Sequence, residues 1–185
     1  LESLGAALGI HRFAKICDQD PYIVINKYNE ALADIFKAAK ETDEYTFVSS
    51  DRAMKITGPG TLVIVVDTNR KSIVECPELL DMTRRIVVFD HHRRAADYIE
   101  NPVLAYTESY ASSTAELVTE VLQYCGVTRA VTIFESEALL AGITVDTNRF
   151  AVKTGVRTFE AASWLKRCGA DTTRVKRYFQ TDMDM

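Results

Sequence analysis

The stretch that decides the fold is Thr61-Leu-Val-Ile-Val-Val66, followed at once by Asp67, together with Arg85-Ile-Val-Val-Phe89, followed by Asp90. Each is a short, nearly continuous run of branched apolar residues, which is the pattern of a strand buried on both faces. Such strands belong to parallel sheets that are covered by helices. The sequence therefore predicts two central strands of a parallel sheet, each ending in an aspartate.

Outward from this pair, amphipathic segments alternate with further apolar runs. Apolar residues at helical spacing predict helices, and two shorter apolar runs predict further strands. The predicted helices are Ser3–Cys17, Ala31–Lys40, Ser50–Ile56, Pro77–Thr83, Ser113–Tyr124, Ile133–Val145, Phe159–Cys168 and Thr173–Phe179, and the further strands are Pro21–Asn26 and Val103–Tyr106. The alternation predicts one α/β domain with a doubly wound, mostly parallel sheet flanked by helices.

The composition excludes several classes of protein. The chain has 185 residues, with 22 lysines and arginines against 26 aspartates and glutamates, and a formal net charge of −4. This acidic balance argues against binding of duplex nucleic acid through bulk charge. The four cysteines form no Cys-x-x-Cys pair, which argues against a disulfide scaffold or a cysteine zinc site. No apolar run approaches the ~18 residues of a membrane span.

The residues that follow the two central strands carry the first signs of chemistry. Ligands of open α/β sheets bind at the carboxyl ends of the strands, where Asp67 and Asp90 are expected. Asp90 precedes His91 and His92, two of the three histidines, and carboxylates with imidazoles form hydrolytic divalent-metal sites. Arg93 comes next and could neutralise phosphate oxygens. The alternatives are that each aspartate caps a turn and that the arginine lies in a solvated loop.

Asp146 has both a functional and a structural interpretation. It follows the apolar segment 138–142, so it should lie at the end of a buried element. An unpaired acid in such a place is unfavourable. A metal ion would offset that cost, and so would a hydrogen bond to Thr147 or Asn148.

Ser112-Ser113-Thr114 opens a predicted helix and is likewise open to two interpretations. Hydroxyl groups, backbone N–H groups and the helix dipole together favour an anion. Plain N-capping, helped by Glu116, would account for the same residues. His11 lies inside the first predicted helix and is expected to be structural.

Four motifs together resemble the DHH phosphoesterase superfamily, which includes nano-RNases, class II pyrophosphatases and cyclic-di-AMP phosphodiesterases. In the order of that family they are Val65-Val-Asp-Thr68, Phe89-Asp-His-His-Arg-Arg94, Tyr110-Ala-Ser-Ser-Thr-Ala-Glu116 and Gly142-Ile-Thr-Val-Asp-Thr147. Thr154-Gly-Val-Arg-Thr-Phe-Glu-Ala-Ala162 adds a specific similarity to the GdpP-type phosphodiesterases. The resemblance covers essentially the whole chain.

The resemblance implies two bound manganese ions in the family site, with Mg²⁺ or another divalent ion as alternatives. The implied metal ligands are Glu2, Asp67, His91 and Asp146, of which Asp67 bridges both ions. His92 corresponds to the imidazole that contacts the scissile phosphate, and Asp90 to an acid that orients its neighbours. The residues implied to contact phosphate are Arg93, Ser112 and Ser113.

The ends of the chain favour a piece of a longer protein. The chain starts at Leu1, and Gln180–Met185 shows no turn or cap signal. The first family motif, His-x-x-x-Asp-x-Asp, would end at Glu2, which places its histidine and first aspartate before Leu1. We therefore expect residues 1–185 to be a DHH domain cut inside its first motif and without its C-terminal partner domain.

The function implied by the resemblance is metal-dependent hydrolysis of a cyclic dinucleotide, cyclic-di-AMP, to the linear dinucleotide, with the isolated piece impaired or inactive. The alternatives are the same chemistry on short oligonucleotides or pyrophosphate, and a regulatory nucleotide-binding module without turnover. This domain is expected to be cytoplasmic, and the resemblance implies a membrane-associated parent. The sequence leaves the oligomeric state open, with a homodimer among the alternatives.

Overall fold

The computed structural model describes residues 1–179, so the predicted lack of a turn or cap at Gln180–Met185 falls outside the described part. Its helices are α1 Glu2–Ile16, α2 Glu30–Glu41, α3 Ser50–Ile56, α4 Leu79–Met82, α5 Thr114–Tyr124, α6 Ile133–Asp146, α7 Val156–Arg167 and α8 Thr172–Arg177. The strands are β1 Ile23–Val24, β2 Phe47–Val48, β3 Val63–Val66, β4 Ile86–Asp90 and β5 Leu104–Thr107, and a 3₁₀ turn spans Lys71–Ile73. Within residues 1–179, none of these helices has the length and apolar character needed to cross a membrane.

The predicted α/β class, with parallel strands and flanking helices, is confirmed. Strands β3, β4 and β5 form a parallel sheet in that order, in which Val66 pairs with Phe89, and Asp90 with Thr107. Strands β1 and β2 form a separate parallel pair. The described strands therefore lie in two sheets, whereas the sequence predicted one. The second sheet is small, because β1 and β2 are only two residues long and pair with each other.

The helix predictions are accurate to within a few residues, whereas the short strands are less so. The predicted strand Pro21–Asn26 shrinks to β1, and the predicted strand Val103–Tyr106 is shifted by one residue. Strand β2 and the 3₁₀ turn were missed. Segments of two or three residues are too short to show a period, which explains why periodicity did not find them.

The core is built around close packing of α1 on α6. A Cβ atom on Gly5 would lie 2.4 Å from the carbonyl oxygen of Ala138, and one on Gly142 would lie 3.3 Å from the Cα of Glu2. The two helices therefore run antiparallel, with the start of α1 beside the end of α6. Their shared core extends to α5 and α7, where Val118 and Leu165 are fully buried.

His11 is buried in this region, as its structural interpretation expects. It is 2% exposed, and neither ring nitrogen has a hydrogen-bond partner. Its ring lies edge-on to Tyr45 with the centroids 5.0 Å apart. Burial, with the nearby charges of Lys15 and Arg12, lowers the pKa of His11 to about 4, so the ring is neutral at pH 7.

We expect Gly5→Ala to destabilise the protein. Alanine is the better helix former by about 1 kcal/mol, but its methyl group would press on a backbone carbonyl that cannot move away alone. Overpacking of this kind costs about 1–3 kcal/mol, so the steric effect wins. Urea unfolding should show a lower midpoint for Gly5→Ala.

The matched control is Gly58→Ala, because a Cβ on Gly58 meets nothing within 4 Å. Its midpoint should be unchanged or slightly higher, since alanine restricts the unfolded chain. Equal midpoints for the two variants would contradict the close α1–α6 packing described here.

Candidate metal centre

Four segments that are distant in sequence bring their polar ends to one place. Asp67 directly follows β3 and His91 directly follows β4, because neighbouring parallel strands end at the same edge of the sheet. Glu2 lies in the first turn of α1, and Asp146 is the last residue of α6. The antiparallel packing at Gly142 allows the backbone of Glu2 to approach the end of α6.

His91 lies at the centre of this group. Its Nε2 is 3.1 Å from Asp146 Oδ2, 3.2 Å from Glu2 Oε1 and 3.8 Å from Asp67 Oδ1. All four side chains are largely buried, the most exposed at 17%. The structure thus brings together the four residues that the sequence predicts as metal ligands.

Two of the facing atoms of this group are close without forming a hydrogen bond. His91 Nε2 and Asp146 Oδ2 are buried, and neither has a hydrogen-bond partner although they are 3.1 Å apart. Ligands about 2.1 Å from an octahedral ion are separated by roughly 3 Å. One ligand atom each from Glu2, His91 and Asp146 lie within 4.8 Å of one another, and the same holds for Asp67, His91 and His92. The donor set and its spacing fit a divalent metal ion.

Crowded carboxylates shift the pKa values of the group. Burial raises the pKa of Glu2 to about 9, and Asp146 and Asp67 add to the rise while His91 opposes it. Burial disfavours a charged His91, but Asp146 and Glu2 outweigh that effect and raise its pKa to about 10. Burial would raise the pKa of Asp146, but contact with His91 outweighs that effect, so the pKa of Asp146 is lowered. Without a metal ion the group therefore holds protons, which a bound cation would displace.

Asp90 and His92 form a second contact at the edge of this group. Asp90 is fully buried, and its Oδ1 is 2.7 Å from His92 Nδ1 and 3.2 Å from the backbone N–H of the same residue. The His92 side chain is 55% exposed. This geometry presents the His92 ring at the surface, and the supporting role of Asp90 stays a prediction. Arg93, the next residue, is exposed as well.

Ser112 and Ser113 have helix-capping contacts. Both are fully buried. Ser113 is the N-cap of α5 and accepts from the N–H of Glu116 at 3.0 Å. The Ser112 hydroxyl donates to the Glu116 carboxylate, which also accepts from Thr158 at 2.7 Å. The capping interpretation of the sequence is therefore confirmed, and the predicted phosphate contacts of these serines stay predictions.

Two hydroxyl groups that were not expected from the sequence hold Asp67. Thr114 Oγ1 donates to Asp67 Oδ1 at 3.2 Å, and Ser3 Oγ donates to Asp67 Oδ2 at 2.5 Å. The backbone N–H of Thr114 also lies 3.3 Å from Glu2 Oε1. The first turn of α5 thus faces the carboxylates, and the only signal in the sequence was the polar opening of that helix.

Two of the segments that form the group have left-handed backbone conformations. Asp67 has φ of 67°, and Asn148, Arg149 and Phe150, just after Asp146, have φ of 46°, 59° and 63°. Residues other than glycine adopt this region uncommonly, and such positions cluster at functional sites.

Comparison with known proteins gives the family. The family model described as the DHH family, N-terminal domain, matches residues 2–143. The chain is 42% identical over 188 residues to the cyclic-di-AMP phosphodiesterase GdpP of Bacillus subtilis (strain 168), covering all of this chain and 28% of that protein. It is 39% identical over 188 residues to the cyclic-di-AMP phosphodiesterase PdeA of Listeria monocytogenes serotype 1/2a (strain 10403S), covering 99% of this chain and 28% of that protein.

A solved structure has the same fold. The crystal structure of an exopolyphosphatase-related protein from Bacteroides fragilis superimposes with a TM-score of 0.78 at 19% identity, covering 97% of this chain and 53% of that one. The chain thus spans little more than a quarter of the length of the curated relatives. The match over residues 2–143, which includes three of the four residues of the candidate metal centre, shows that the chain belongs to the DHH family.

Proposed function

We propose that this chain carries the catalytic centre of a manganese-dependent phosphodiesterase that opens cyclic-di-AMP to the linear dinucleotide. The observation that supports this most strongly is the convergence of three carboxylates on the imidazole of His91, where His91 Nε2 and Asp146 Oδ2 are buried without a hydrogen-bond partner. The choice of substrate rests on the relatives, since GdpP and PdeA are both cyclic-di-AMP phosphodiesterases by name.

Glu2, Asp67, His91 and Asp146 are the proposed ligands of the metal. When bound, divalent ions supply an activated water and neutralise the charge of a phosphodiester. The hydroxyl groups of Ser3 and Thr114 fix the two oxygens of Asp67 without adding charge. With both oxygens held in this way, Asp67 would be one of the residues that hold the cation.

His92 and Arg93 are the proposed contacts to the phosphate. Asp90 holds Nδ1 of His92, which leaves Nε2 for a phosphoryl oxygen as negative charge develops there. The exposed guanidinium of Arg93 can pair with a second oxygen. In the overall hydrolysis, the oxygen of water forms a new bond to phosphorus, and the ribose oxygen leaves and takes up a proton.

The substrate range, the location and the assembly are separate proposals. Short linear oligonucleotides and pyrophosphate would use the same chemistry, so they are the competing substrates for any assay. A regulatory module that binds nucleotide without turnover is the alternative of another class. A cytoplasmic location, a membrane-associated parent and a homodimer stay predictions.

Asp67→Ala should lower manganese-dependent hydrolysis of cyclic-di-AMP at least 100-fold, because loss of a metal ligand should cost at least as much as loss of its supporting partners, roughly 10–100-fold. The assay uses the full-length protein, since this chain spans 28% of the Bacillus relative. Pyrophosphate and the linear dinucleotide run alongside. Asp51→Ala, which removes an exposed acid in α3, is the control and should keep full activity.

The substrate arms separate the competing proposals. If the protein turns over only the linear dinucleotide or pyrophosphate, that compound replaces cyclic-di-AMP as the proposed substrate. Undiminished turnover by Asp67→Ala with normal metal content would overturn the site, and no turnover of any substrate by metal-loaded protein would favour the regulatory module.

Manganese should raise the thermal unfolding midpoint of the protein. An ion at 100 times its dissociation constant stabilises the folded state by about 2.7 kcal/mol, which corresponds to roughly 5–10 °C for a chain of this size. His91→Ala should lose this rise, because the imidazole lies within 4 Å of all three carboxylates. Calorimetry with manganese, magnesium or a chelator measures the effect, with Asp51→Ala again as control. An equal rise in His91→Ala would place the ion elsewhere.

A further inference from the structure

Asn69 lies buried beside the loop that carries the two histidines, and no pattern in the sequence selects it. It is 7% exposed and follows Asp67 by two residues. Its amide nitrogen donates to Asp90 Oδ2 at 2.6 Å and to the carbonyl of Arg93 at 3.2 Å, and its amide oxygen accepts from the N–H of Ala95 at 3.1 Å. All three contacts agree with a single orientation of the amide.

Asp90 connects Asn69 to His92. One carboxylate oxygen of Asp90 accepts from Asn69, and the other faces both Nδ1 and the backbone N–H of His92. Carboxylate oxygens accept hydrogen bonds, so this contact favours the tautomer of His92 with its proton on Nδ1. The contacts from Asn69 through Asp90 therefore fix the orientation of the His92 ring, and with it the position of Nε2, the nitrogen that faces away from Asp90.

Within residues 1–179, Asn69 is the only hydrogen-bond donor to Asp90 Oδ2. Asp90 is 0% exposed, and a buried carboxylate oxygen without a donor is strongly unfavourable. Without the amide of Asn69, Asp90 would gain by turning that oxygen toward another donor. Such a turn would move the oxygen that holds His92, whose side chain is 55% exposed and whose ring otherwise packs on that of His91, with the centroids 4.2 Å apart.

We infer that Asn69 is a positioning residue for phosphoryl transfer, which acts through Asp90 to set the orientation and tautomer of His92. This inference rests on the proposed function for the role of His92, but the contact itself does not depend on the substrate. It differs from general support of the loop, because the effect of Asn69 should pass through His92 alone.

A double-mutant cycle in the full-length protein tests the inference. Asn69→Ala should lower kcat about 10- to 100-fold, as loss of a residue that supports a functional side chain does, and should leave KM within threefold. In the His92→Ala background the same change should add less than threefold. Asn69→Ser, with a smaller side chain that keeps one donor, replaces Asn69→Ala if circular dichroism shows that the alanine variant does not fold.

Ser72→Ala is the matched control. The Ser72 hydroxyl donates to Asp97 at 2.5 Å, so it joins the same two segments without touching Asp90. Its kcat should stay within threefold of that of the unmodified protein. A loss in Ser72→Ala equal to that in Asn69→Ala would show that loosening the loop is enough. A further tenfold loss from Asn69→Ala in the His92→Ala background, or no loss at all from Asn69→Ala, would also overturn the inference.

A measurement without substrate separates this inference from the proposed function. The chain has three histidines, so long-range proton–nitrogen correlations on protein with labelled imidazoles can report the tautomer of His92. The unmodified protein should show a proton on Nδ1, and Asn69→Ala should show a mixture of tautomers. An unchanged His92 signal in Asn69→Ala would overturn the inference even if cyclic-di-AMP is hydrolysed, whereas a changed signal without turnover of any substrate would overturn the proposed function alone.

Discussion

The crowding of three buried carboxyl groups around one imidazole is the constraint on which the rest of this structure depends. Glu2 and Asp146 each lie within 3.2 Å of the same nitrogen of His91, with Asp67 at 3.8 Å. Taking charges out of water is unfavourable unless they are paired. The scaffold must therefore supply the cost of bringing them together, and it does so through helix packing that leaves α1 and α6 little freedom to separate. Gly5 and Gly142 permit that packing, because any larger residue would meet backbone atoms of the other helix.

Uncharged donors hold the carboxylates at this site. Ser3 and Thr114 hold Asp67 through hydroxyl groups, and the backbone N–H of Thr114 reaches Glu2. A lysine in either position would pair with the acid and remove the attraction for a cation. Hydroxyl and N–H donors instead fix the positions of the carboxylate oxygens and leave their negative charge available. This explains why the N-terminus of α5 faces the carboxylates although no anion needs to bind there.

The sequence was informative where the chemistry sits at the end of a regular element. Asp67 and Asp90 were found because each ends a continuous apolar strand, and Asp146 because it ends an apolar helix. Glu2 came from the family resemblance alone. Periodicity cannot show which donors face an acid from 21 to 64 residues away, so the contacts of Asn69, Thr114 and Ser3 were missed. Strand β2 and the division into two sheets were missed for a related reason, since pairing of two-residue strands is decided by tertiary contacts.

The backbone conformation at the site follows from the same constraint. Asp67 and the three residues Asn148–Phe150 have left-handed φ angles, each of which costs of order 1 kcal/mol for a residue other than glycine. At the end of α6 the turn lets Arg149 N–H donate to the carbonyl of Thr144 at 2.8 Å, and Val152 N–H to that of Thr147 at 2.9 Å. These bonds stop the helix directly after Asp146. Had α6 continued for another turn, the carboxylate would lie on a helix side instead of at its end, where it can meet the start of α1 and the edge of the sheet.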